Sequence, residues 1–249
     1  MKQLIIILLS CYCLVFSLSA QNYIAEYESE NIKSCLIFNT DTWRYDATEF
    51  WSTEISVTSN DVDVDELNRS TEKTVKSFST FNFRSLDKNY YLDEEALPVF
   101  LSDKYVIKGE LVKPEWSIVS DSIKMIENYT CLMANGFVCG RNYTVWFTPD
   151  ISVSAGPWKL WGLPGLIVSA HSDDNVVKIT MTSLKQTDIL PKEPEIIQTI
   201  TPEEFKIVLR EGAKKISRKI RALVSGISDS AEVTTFVLLD KYPDKSFIE

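Results

Sequence analysis

The chain has 249 residues, 45% of them hydrophobic, and carries 35 acidic against 26 basic side chains for a formal net charge of −9. That balance excludes nucleic acid as a partner, because binding phosphates needs a basic surface. The length suits one domain with a sizeable core.

Residues 1–20 have the three-part layout of a secretory signal peptide. Lys2 supplies the positive start, residues 4–16 are apolar apart from Ser10, and Ser17-Leu18-Ser19-Ala20 offers small residues for cleavage. The apolar run falls short of the ~20 residues a helix needs to cross a bilayer. The competing reading is a retained membrane anchor. Cleavage after Ala20 predicts a mature N-terminus at Gln21, a single β-rich domain over 21–249 and, with Lys2 lost, a net charge near −10. No later segment is apolar and long enough to span a membrane, so no transmembrane helix is expected after cleavage.

Strand signals follow. Residues 23–27, 35–38, 75–84, 105–108 and 116–119 are short runs rich in β-branched and aromatic side chains, bounded by turn formers. Within 75–84, Phe81 and Phe83 share one face and Phe78 takes the other. The acidic stretch at 61–66 reads as a loop or a solvated strand edge. Residues 123–133 and 137–148 read as one long hairpin turning at Asn135-Gly136, a strong short turn signal. In its second arm Tyr143, Val145 and Phe147 share a face. Residues 166–170 and 176–181 make another hairpin across Ser172-Asp173-Asp174-Asn175.

Near the C-terminus the spacing predicts an amphipathic helix over Pro202–Val224. Thr201 caps it, Pro202 fits its first position, and Glu203 and Glu204 suit its positive end. Phe205, Val208, Leu209, Ala213, Ile216, Ile220 and Leu223 make one apolar stripe. A last strand is expected at 233–239. The simplest packing is a mainly β (α+β) fold: a curved antiparallel sheet or half-open barrel with the C-terminal helix packed on it. Such a sheet can hold an apolar ligand in its mouth.

One motif stands out. Gly162-Leu163-Pro164-Gly165-Leu166-Ile167 follows Trp146-Phe147-Thr148-Pro149 and Gly156-Pro157-Trp158-Lys159, with Tyr129-Thr130-Cys131 and Gly140-Arg141 upstream. In order and spacing this stretch resembles the GLPGLI family of exported bacterial envelope proteins, although Ser152 stands where many relatives carry proline. The resemblance implies a periplasmic or outer-membrane-associated location and brings no known reaction. Physically, Leu163-Pro164-Gly165-Leu166 suits a type II turn with Gly165 at positive φ. One reading makes the motif a folding corner. The other makes Trp146, Trp158 and Trp161 a ligand or partner surface, with Trp158 packed inward and Trp161 nearer solvent if the segment is extended.

No catalytic residue is assigned. His171 is the lone histidine and has no GxSxG elbow with it. No carboxylate spacing predicts a pair in space, and there is no phosphate-binding glycine loop. No cofactor and no metal site are expected, since the mature chain has three cysteines, no CxxC and one histidine. Cys131 and Cys139 would bridge if the Asn135-Gly136 hairpin had a three-residue loop, and would face opposite ways with a two-residue loop. The functional expectation is non-enzymatic binding of a peptide, a lipid or an envelope protein. The alternative is a hydrolase or peptide-processing enzyme with a carboxylate or cysteine centre.

Overall fold

The computed structural model describes residues 21–29, 32–52, 75–96 and 104–224. The expected signal peptide at 1–20, the acidic stretch at 61–66 and the run at 233–239 lie outside them. Six strands follow one another as neighbours: β1 (Asn22–Ser29), β2 (Ile32–Phe38), β3 (Thr42–Ser52), β4 (Val75–Ser85), β5 (Tyr90–Ala96) and β6 (Lys104–Glu110). A second run comprises β7 (Trp116–Ile126), β8 (Tyr129–Val138), β9 (Arg141–Thr148), β10 (Leu166–Ser172) and β11 (Lys178–Thr187). β11 returns beside β1, so the two meanders join into one open sheet of eleven strands, ordered β6-β5-β4-β3-β2-β1-β11-β10-β9-β8-β7. This is the mainly β, antiparallel, unclosed architecture expected from the strand signals.

Alternation explains the pairing. Ala25 and Tyr27 on β1, Leu36 and Phe38 on β2, and Trp43, Tyr45 and Ala47 on β3 are all buried and share one face in register. Each such large side chain contributes about 1.5–3 kcal/mol on burial, so a one-residue slip would expose the whole set. On β4 the pattern inverts. Phe81 and Phe83 point to the other face, where Leu92 and Ile196 pack with them. Asn82 and Arg84 point to the face that β1–β3 make apolar.

The central hairpin lies elsewhere than expected. β8 runs straight through Asn135-Gly136, and the chain reverses at Cys139-Gly140, with φ of 48° and 82°. Two positive φ values in a two-residue loop are the type I′ pattern, which matches strand twist. Gly136 serves a different purpose. A Cβ there would sit 2.5 Å from the Trp116 ring and 2.8 Å from the Glu115 carbonyl, so glycine lets the edge strand's indole cross the backbone.

Helix α1 (Pro202–Val224) begins as the sequence indicates. The Thr201 hydroxyl accepts the Glu204 N–H at 3.2 Å, while the Glu204 carboxylate accepts the Thr201 N–H at 2.7 Å, a reciprocal capping box. Phe205 and Leu209 are buried, and the Phe205 ring lies 6.1 Å from that of Tyr105 on β6. Just before the helix, Ile200 pairs with Ile107, so this edge of the sheet is covered by the chain itself. Among the described residues no helix is long and apolar enough to cross a membrane.

The connection at 149–165 shows that the sheet is curved. Trp158 packs on Tyr143 of β9, with ring centroids 6.4 Å apart, while its neighbour Lys159 reaches Glu95 of β5 at 2.8 Å. In a flat sheet these strands would be roughly 34 Å apart, seven spacings of ~4.8 Å. The sheet therefore wraps around residues 149–165, and they fill its concave side. Leu160 and Leu163 meet Val145, Phe147 and Ala170 there, and Trp161 meets Trp43.

Candidate functional site

The connection is shaped by two constrained points. Leu160 donates its N–H to the Pro157 carbonyl, closing a turn in which Trp158 sits at φ 54°. Positive φ is costly for a bulky side chain, and here it turns Lys159 toward β5 and Trp158 toward β9. The second point is Gly162 at φ 96°. Gly165 is not at positive φ, contrary to the type II turn expected of it. Its requirement is steric, because a Cβ would fall on the Thr148 carbonyl and 2.9 Å from the Pro149 nitrogen. Leu163, Leu166 and Ile167 are buried and Pro164 is exposed, so most of the GLPGLI motif is core. The Tyr27 hydroxyl, donating to the Ile167 carbonyl at 2.7 Å, ties the motif to β1 across the concave side.

Where Lys159 lands, five polar side chains meet. Asp93 accepts from Asn82 at 2.8 Å and is gripped by both Arg84 amino groups, the longer contact being 3.2 Å. Lys159 donates to Glu95 at 2.8 Å and lies 3.7 Å from Asp93. Asn82, Arg84, Asp93 and Glu95 are each under 5% exposed. Two cations face two carboxylates, so the buried cluster is neutral. Burial alone would push the Lys159 proton off, but Glu95 and then Asp93 outweigh it and hold the ammonium well above the ordinary lysine range.

Next to it, Tyr143 is 1% exposed and its hydroxyl has no hydrogen-bond partner among the described residues. Burial keeps it a neutral phenol by raising its pKa. Arg141, on the same strand, donates to Asp174 at 2.8 Å. Lys159 is thus held as the ammonium and Tyr143 as the phenol. A general acid or base works best with a pKa near the operating pH, and a lysine nucleophile must first lose its proton; Lys159 is held away from both conditions. What the arrangement does is lock residues 149–165 to both halves of the sheet.

The other expected site residues do not converge. Trp161 is buried against Trp43, and Trp158 is half-buried, which reverses the expected orientation because the segment turns at Trp158-Lys159 and is not extended. Trp146 lies on the opposite face of β9 from Val145 and Phe147, under the Lys124 ammonium. Cys131 is buried mid-strand opposite Lys124, while Cys139 is in the exposed β8–β9 turn; both are free thiols, so the bridge between them is not formed. Its premise was a turn at Asn135-Gly136, whereas both cysteines lie along a single run of chain, eight residues apart. His171 is exposed on β10 between Thr144 and Lys178.

No sequence motif marks Asn82, Arg84, Asp93, Glu95 and Lys159 as a group. One signal was available: Asp93 and Glu95 are two apart on a strand, hence on one face. A cavity of about 660 Å³ also lies against β1–β6. Lys33, Cys35, Arg44, Asp46, Glu94 and Lys104 are among its lining residues, so it carries charges of both signs. Arg44 pairs with Asp46 at 2.8 Å and Lys104 with Glu94 at 2.9 Å. On the concave side, where an apolar mouth is expected, the described residues 149–165 occupy the space.

The family described as "Protein of unknown function (Porph_ging)", a bacterial family, matches residues 139–169. These residues comprise the Cys139-Gly140 turn, β9, the connection and the start of β10. No curated protein matches the chain. Among solved structures the chain is similar to PNGF-II in two crystal forms, P21 and C2, with TM-scores of 0.53 and 0.52 at 16% identity. The similarity covers 78% of this chain but 34% and 33% of those chains, so the chain spans about a third of the length of the structures it matches. At that identity the likeness is one of fold.

Proposed function

We propose that this chain is an exported envelope protein of the GLPGLI type that acts by binding a peptide or protein partner and not by catalysis. The observation that carries the reading is the fixed neutral cluster of Arg84, Asp93, Glu95 and Lys159. Its groups are committed to one another at 2.8–3.2 Å for the hydrogen bonds quoted above, which suits a scaffold, and its lysine is held as the ammonium and not as a free amine. The filled concave side argues against carriage of a lipid there, although a curved sheet is otherwise suited to it. Export rests on the leader-like residues 1–20, and the envelope location on the resemblance of residues 129–167.

The test uses the full-length protein expressed in its own cells and recovered from the envelope fraction after mild cross-linking. Mass spectrometry is expected to find a stoichiometric peptide or protein partner, and peptide, ester and glycoside substrates are expected not to turn over. Turnover that disappears in Glu95→Gln or Lys159→Met would overturn the binding reading.

A further inference from the structure

The two edges of the sheet are treated differently. β6 is covered by Ile200 and α1, whereas among the described residues nothing pairs with the outer side of β7. An open edge of eleven residues is a ready template for strand addition unless it is blunted.

The sequence of β7 adds to this. Val119 faces Met133 and Ile123 faces Leu132, so residues 120–122 are extra and have no partner on β8. A bulge of odd length re-phases the strand. Ile118 and Ile123, five apart, thereby come to the same face, opposite Ala134 and Leu132, and Met125 joins them opposite Thr130. These three are 43%, 64% and 60% exposed. Trp116, on the same face, donates its indole N–H to the Trp161 carbonyl at 2.8 Å, which anchors the strand to residues 149–165. The edge therefore offers two stretches of paired backbone, 116–119 and 123–126, on either side of the bulge, with an apolar row beside them.

Charge selects the occupant. Asp121 is exposed on the strand and Glu115 and Glu127 are exposed at its two ends, while the one cation within 115–127, Lys124, lies 5.6 Å over the Trp146 ring. A second copy pairing antiparallel over the whole strand would set Asp121 against itself and Glu115 against Glu127, and like charges directly opposite are destabilising. We infer that β7 is a strand-addition site for an extended segment of another protein that alternates apolar and basic residues, its backbone extending the sheet and its apolar side chains covering Ile118, Ile123 and Met125. The inference rests on the binding reading above and names the partner's chemistry.

Two capped eleven-residue peptides test it with the purified full chain, one alternating valine with lysine and the other valine with glutamate. The lysine peptide is expected to bind roughly tenfold more tightly, with the difference shrinking as salt rises. Binding is expected to slow amide exchange within 116–126. The Ile123→Lys/Met125→Lys double variant, altered only at exposed positions, should keep its circular dichroism and lose the interaction. Equal binding of both peptides, no binding, protection elsewhere, or dimerisation through β7 would overturn the proposal. A partner from the envelope that stays bound to the double variant would also overturn it, while leaving the binding reading standing.

Discussion

Gly165 and Trp158 show two different backbone constraints within eight residues. At Gly165 the obstacle is space, since a side chain would collide with the Thr148 carbonyl. Gly165→Ala is expected to cost on the order of 1–3 kcal/mol, as overpacking does, read as a lower urea midpoint at unchanged slope. A midpoint equal to the wild type would mean the backbone yields there freely. At Trp158 the obstacle is φ of 54°. Trp158→Gly should therefore be more stable than Trp158→Ala by about 1–2 kcal/mol, the left-handed penalty for a residue with a Cβ. The order of the two tryptophans follows from burial. Trp161→Ala, emptying a buried site beside Trp43, should cost about 3–5 kcal/mol, and Trp158→Ala clearly less. Equal losses in a thermal or urea melt would contradict the geometry.

Among the elements, the helix start and the strand alternation were the most legible parts. The capping box uses neighbours in sequence, so Thr201, Pro202 and Glu204 suffice to announce it. Thr201→Ala should cost about 1 kcal/mol, measured as loss of helical ellipticity on mild heating. The Thr201 backbone and hydroxyl hold the Glu204 carboxyl below its usual range. With a depressed folded-state pKa, its contribution is present above the unfolded pKa and is lost as pH falls through the folded one. The cap should thus weaken in acid and not in base. The strand signals do not mark β3 and β5, although β3 alternates cleanly at Trp43, Tyr45 and Ala47. Asn135-Gly136 misled because glycine's missing side chain serves a turn or a close approach equally well, and only the position of Trp116 chooses between them.

For the molecule as a whole, Lys159 is the strut between the connection and the far half of the sheet. Lys159→Met would leave Glu95 and Asp93 buried with less positive charge, a loss on the order of 3–5 kcal/mol. Its pH dependence follows from the raised pKa of the ammonium. Stability from such a group is complete below the unfolded lysine pKa of about 10.4 and fades as pH rises from there toward the folded value. The gap between wild type and Lys159→Met should stay level through neutral pH and narrow only in strong alkali. Chemical denaturation at several pH values measures it, and a gap that closes near neutrality would show that the strut is not ionic.

By itself the sequence determined what depends on near neighbours: the leader-like start, the β-rich class from period-two alternation, the helix with its cap, and the motif at 162–167. Only the tertiary structure decided that the motif is core, that Trp161 points in, that Cys131 and Cys139 stay apart, and that Lys159 meets Asp93 and Glu95. The cysteines are separated by where β8 turns, at Cys139-Gly140; the other facts depend on the sheet curving around residues 149–165, which brings β5 and β9 together across seven strand spacings. Curvature of that kind is the sum of small twists and bulges over many strands, and no window of sequence contains it.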